Sequence, residues 1–75
     1  MRVKEIKSMC FVVIGGKTLD YEFENFGKAQ IFVDKYIKHN KYTLCSSVAN
    51  GIAAFYLVHS KEKGYITIKI NTKTY

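Results

Sequence analysis

Asp20, Glu22 and Glu24 set three carboxylates at alternate positions of one short segment. Residues two apart share one side of an extended strand. The three carboxylates therefore form a row able to hold a cation or draw a basic partner. A row of acids also serves as a solvated strand face set against lysines of a neighbour, and Lys69 and Lys73 have the matching alternation. On a sheet edge the same charges oppose edge-to-edge aggregation. The structural reading of these acids is preferred to the cation-binding one.

The remaining chemical candidates are thinner. Gly16-Lys17-Thr18 matches the end of a phosphate-binding loop, but that motif needs a glycine five places before its Gly-Lys pair, where Phe11 stands. It also needs a helix next, and a strand pattern follows instead. Cys45 with His59 or His39 would make a thiol–imidazole pair, which needs a base within reach and a third group to orient it. The strand register puts Cys45 and His59 on opposite sides of a sheet, and His39 has no carboxylate beside it in the pattern. Cys10, Cys45, His39 and His59 lack the close ligand pairs of structural zinc sites. No catalytic residue, metal ligand, cofactor or small-molecule substrate is expected, and the chain does not read as an enzyme.

Charge points elsewhere. Twelve basic residues against six acidic ones give a net charge of +6, which favours anionic partners. Eleven of the twelve are lysines; only Arg2 is an arginine. Bidentate reading of guanine or phosphate prefers the arginine fork, so sequence-specific major-groove readout is disfavoured. A looser mode remains, in which lysines track phosphates while rings stack on bases. Tyr65, Thr67, Lys69, Asn71 and Lys73 project to one side of the last strand, beside Phe55, in the outline of such a platform. No RNP-like string accompanies them.

The elements that must position these residues follow from periodicity. Seventy-five residues make one small domain, 1–75, which buries only ~60% of the surface of its unfolded chain. Residues 9–14 form an apolar run bounded by Gly15-Gly16. Leu19, Tyr21 and Phe23 then alternate with the acids, which reads as a half-exposed strand. Gly15-Gly16 joins the two as a hairpin. Asn25 suits an N-cap for a helix over residues 26–39, with Phe26, Ala29, Phe32, Val33, Tyr36 and Ile37 on one side and Ile31 stranded among charges. Residues 42–49 and 52–59 flank Asn50-Gly51, the strongest short-range hairpin signal, expected as a two-residue type I′ turn. A last strand spans 65–72. The order is ββαβββ, an α+β fold with a mainly antiparallel sheet and one helix on one face.

A turn at Asn50-Gly51 pairs Ala49 with Ile52, Ser47 with Ala54, Ser46 with Phe55, Cys45 with Tyr56 and Leu44 with Leu57. The core face then holds Cys10, Val12, Ile14, Leu19, Tyr21, Phe23, Cys45, Ser47, Ala49, Ile52, Ala54, Tyr56, Val58, Ile66, Ile68 and Ile70. The opposite face holds Met9, Phe11, Val13, Leu44, Val48, Phe55 and Leu57, among Asp20, Glu22, Glu24, His59, Tyr65 and Lys69. One helix cannot cover both faces, and a contiguous apolar patch left in water marks an interaction site.

The function expected from these patterns is non-enzymatic protein binding through the uncovered sheet face, to a protein partner or to a second copy as a homodimer. Phe11, Val13, Phe55 and Leu57 are the expected anchors, with Asp20, Glu22, Glu24 and Lys69 as polar contacts. A compact, motif-free, lysine-rich chain suits a regulator or inhibitor from a phage or mobile element. The alternative is nucleic-acid binding through the last strands. Two cysteines without repeated spacing read as reduced, part-buried thiols. The run 9–14 behind Arg2, Lys4 and Lys7 is short for a signal peptide and lacks a cleavage motif. No stretch is long enough to span a membrane, so a cytoplasmic, membrane-free setting is expected.

Overall fold

The computed structural model describes residues 8–74, so Arg2, Lys4 and Lys7 lie outside it. Five strands and one helix follow the expected order: β1 (Ser8–Ile14), β2 (Lys17–Phe23), α1 (Phe26–His39), β3 (Thr43–Ala49), β4 (Ala54–Ser60) and β5 (Gly64–Thr74). The strands form one antiparallel sheet in the order β2-β1-β5-β4-β3. β5 inserts between β1 and β4, so the central ladder joins residues more than fifty positions apart, from Ser8 opposite Thr74 to Ile14 opposite Ile68.

The helix starts where the Asn25 side chain accepts the Lys28 N–H at 2.8 Å, leaving one fewer orphan donor in the first turn. Lys38 and His39 stand in the last turn, beside the negative end of its dipole. Ala29, Val33 and Ile37, four residues apart, are the buried stripe. They pack on Cys10, Val12, Phe23, Ala54, Tyr56, Val58, Ile68 and Ile70 to form the core. Ile31 points away from it and is exposed, as its place among the charges implied.

Gly15-Gly16 makes the first hairpin as expected. Both glycines take positive φ, and Ile14 faces Lys17 across them. Farther along, the two strands fall out of step. Phe11 faces Glu22 and Val13 faces Thr18, so Val12 alone spans three residues of β2. Two extra residues keep the facing parity, but β2 bows outward there. Tyr21, expected in the core, is instead 63% exposed.

The second hairpin forms with a corrected register. Its central residues are Gly51-Ile52, not Asn50-Gly51, and Ala49 faces Ala54 rather than Ile52. The cause is the Asn50 side chain. Instead of entering the positive-φ region, Asn50 accepts the N–H groups of Ile52 (3.1 Å) and Ala53 (2.9 Å) through Oδ1. Only Gly51 then needs positive φ. The shift moves pairing by two residues, so most side chains keep their expected faces: Ser47 meets Tyr56 and Val48 meets Phe55. Ile52 becomes an exposed turn residue.

A bulge at Cys45 makes the second correction. Ser46 faces Leu57, yet Leu44 faces Val58. The extra residue moves Leu44 to the helix side of the sheet and leaves Cys45 exposed, not in the core. The helix rests chiefly on β1, β5 and β2. Every residue of β3 is exposed.

Candidate protein-interaction surface

The side of the sheet away from α1 has no second layer among the described residues, because their single helix packs on the core face. Register fixes the rows across this open face. Val13, Lys69, Phe55 and Val48 form one straight row through β1, β5, β4 and β3. Glu22, Phe11 and Asn71 form the row on one side of it. Thr67, Leu57 and Ser46 form the row on the other. Beyond these, His59 packs edge-on to Tyr65, their rings 5.0 Å apart.

Of the four expected anchors, Phe11, Val13 and Leu57 are half-buried, while Phe55 is 39% exposed. Val48, beside Phe55, is 68% exposed and is the most open aliphatic side chain on the face. Lys69 lies over the Phe55 ring at 5.9 Å from its centroid. That cation–π contact holds an ammonium at the centre of the apolar row.

The acids do not form the continuous row that alternation implied. Asp20 and Glu22 line a recess with Phe11, Thr18, Leu19 and Lys73. Glu24 lies past the end of β2 and bonds Lys28 at 2.9 Å on the first turn of α1, so it is no part of this face. Lys69 and Lys73 are not on the strand next to the acids either, because β1 separates β2 from β5. Lys73 reaches the acid recess across β1; Lys69 instead meets Phe55. The alternative platform is physically together: Tyr65, Thr67, Lys69, Asn71 and Lys73 alternate along one side of β5, with Phe55 next to Lys69.

The chemical candidates are dispersed. Gly16-Lys17-Thr18 runs from a hairpin turn into β2, with no helix behind it. Cys45 Sγ lies 3.7 Å from the Thr43 carbonyl, while His59 packs against Tyr65. Cys10 is buried in the core. No group of three His, Cys, Asp or Glu able to hold a metal occurs among the described residues. No described helix is long and apolar enough to cross a membrane.

Two features escaped sequence reasoning. The first is a chain of ring contacts, Tyr21–Phe23–Phe32–Tyr36–Tyr42, with centroids 4.7 to 6.1 Å apart, which ties β2 to the helix and to the turn after it. Burial pushes the Tyr36 hydroxyl above its ordinary pKa, and its contact with Tyr42 adds to that rise. Burial likewise raises Tyr56, helped by the nearby Asp34 carboxylate and opposed by a hydrogen bond with Gln30. The second feature is the edge strand β3. On its helix side, Leu44, Ser47 and Ala49 border an open groove walled by Ile31 and Gln30 of α1. The i, i+4 spacing of Phe32 and Tyr36 was a usable signal for the first; nothing local marks a strand as an edge.

Comparison of the chain with protein-family models, with curated proteins and with solved structures finds no match.

Proposed function

We propose that this chain is a non-enzymatic protein-binding module that engages its partner through the open sheet face. The observation that carries this reading is the uncovered row Val13–Lys69–Phe55–Val48. Fully burying one Phe or Leu side chain contributes roughly 1.5–3 kcal/mol. A small domain that leaves several such groups short of that burial has the gain still available on binding. Phe55 and Leu57, flanked by Phe11 and Val13, supply aromatic and aliphatic anchors; Lys69, Asp20 and Glu22 supply polar contacts around them. Apolar anchors inside a polar rim are the usual composition of interface hot spots. A module of this kind suits a regulator or inhibitor acting by occupancy rather than by chemistry.

The test is affinity capture followed by titration with the purified partner. Phe55→Asp and Leu57→Asp are expected to weaken binding by tenfold or more, on the order of 1.4 kcal/mol, with circular dichroism unchanged. Undiminished partner binding by both variants would remove the reading. Oligonucleotide binding that falls steeply with added salt would replace it with the β5 platform.

A further inference from the structure

We propose that β3 pairs antiparallel with β3 of a second copy about a two-fold axis at Val48, joining two five-stranded sheets into one of ten strands. The inference rests on the reading of this chain as an interaction module, and it names the occupant of that module's free edge.

The ladder phase defines what the edge offers. In antiparallel pairing each residue turns its N–H and C=O to the same side, and successive residues alternate. The Asn50 N–H donates to the Ala53 carbonyl at 3.1 Å, so Asn50 faces β4. Val48, opposite Phe55, and Ser46, opposite Leu57, follow in the same phase. Ser47 and Ala49 between them turn their N–H and C=O outward, and no described strand stands there. A backbone donor–acceptor row of this kind is completed by another extended strand.

Four observations select a second copy as that strand. The first is symmetry. Placing Ser47 opposite the partner copy's Ala49, and Ala49 opposite its Ser47, brings all the outward groups of these residues into two bonded pairs. Val48 then faces its own symmetry mate as the close, non-bonded pair between them, so the arrangement is isologous and self-completing.

The second is charge. Residues 43–53 contain no Asp, Glu, Lys, Arg or His, so two chains of net charge +6 can meet here without opposing like charges. The Lys69 positions, five strand spacings apart, would lie about 24 Å from each other, beyond two Debye lengths of roughly 8 Å at physiological salt.

The third is continuity. The row Val13–Lys69–Phe55–Val48 would run across the axis into the same row of the second copy, covering the exposed Val48. The fourth is closure. The other edge, β2, carries Asp20 and Glu22 and an irregular register, features that oppose strand addition. Assembly through β3 therefore stops at two chains.

The test is the molar mass in solution, measured by light scattering and sedimentation across a dilution series. Two chains per particle are expected, dissociating on dilution. Ser47→Pro and Ala49→Pro each remove an outward N–H while sparing the β3–β4 ladder, as proline on an edge strand can. Each should raise the dimer dissociation constant tenfold or more. Val48→Lys changes no backbone group and should do the same by setting like charges across the axis. Val48→Cys in a Cys45→Ser background should cross-link under mild oxidation, since Cα atoms of a close pair lie about 4.5 Å apart, within disulfide reach. A wild-type chain that stays monomeric at about 1 mM would overturn the proposal, as would a dimer indifferent to Val48→Lys. If that monomer still loses a purified protein partner on Phe55→Asp, the edge pairing fails while the binding-module reading stands.

Discussion

The two edges of this sheet are built to opposite specifications. β2 carries Lys17, Asp20 and Glu22, bows away from β1, and is tied to the helix through Phe23 and Phe32. Charge and irregularity of that kind keep a strand from recruiting another. β3 has the sequence TLCSSVA, with no charge, every residue exposed, and a single bulge at Cys45. The helix that covers β1, β5 and β2 stops short of it. The guarded side shows what protection looks like in this molecule, and β3 lacks it.

The largest expected effect contrasts the covered and bare regions. Ile68 is fully buried under the helix. Ile68→Ala should lower unfolding stability by about 2–5 kcal/mol, read by urea denaturation. Val48→Ala, on the bare edge, should stay within about 0.5 kcal/mol for the monomer. Equal costs at the two sites would erase the distinction.

Exchanging the edges' chemistry comes next. Asp20→Val with Glu22→Val should make β2 an adhesive edge, seen as turbidity at concentrations where the parent chain stays clear. Adding charge to β3 with Ser47→Lys should leave the fold intact and the solution clear. A clear solution of the β2 double variant would show that its bowed register suffices as protection.

Asn50→Ala is expected to cost about 1 kcal/mol, through loss of the acceptor for Ile52 and Ala53. The loss should fall on the β3–β4 hairpin, with faster amide exchange there than in β1 and β2.

The smallest effect lies at alkaline pH. The Tyr36 and Tyr56 pKa values are raised on folding, chiefly by burial. Their contribution is complete below the unfolded value near 10 and is lost as pH rises toward the folded values. Tyr36→Phe should flatten the fall in stability above pH ~10 and leave neutral pH nearly unchanged. An identical alkaline slope in parent and variant would contradict the shift at Tyr36.

Much of this was legible before any coordinates. Period-two alternation at Ile66–Ile70, and the 29–33–37 stripe, identified strand and helix because burial on one face imposes those periods; Leu19–Phe23 alternates too, yet only Phe23 of β2 is buried. Asn50-Gly51 signalled a hairpin but not its centre. Asn can either enter positive φ or cap the turn with its side chain, and the second option prevailed. The sequence bears no mark of the Cys45 bulge, which flipped Leu44, since Cys and Ser fit either face. Glu24 continued the acidic alternation on paper, yet the strand had ended one residue earlier so that Asn25 could cap the helix. Strand order was out of reach because the β1–β5 ladder joins distant segments. With it went the knowledge that β3 is an edge, although the local β4–β5 pairing already put Lys69 beside Phe55.

The insertion of β5 between β1 and β4 carries a consequence for how the chain is assembled. Three hairpins and a helix can form locally, β4–β5 among them, but the sheet stays in two parts until the β1–β2 hairpin meets β5. During synthesis, the β1–β2 hairpin would wait with one flank unzipped until β5 had cleared the ribosome. Loop-closure entropy opposes such distant pairing, so the slow step of folding should be the closing of the β1–β5 ladder.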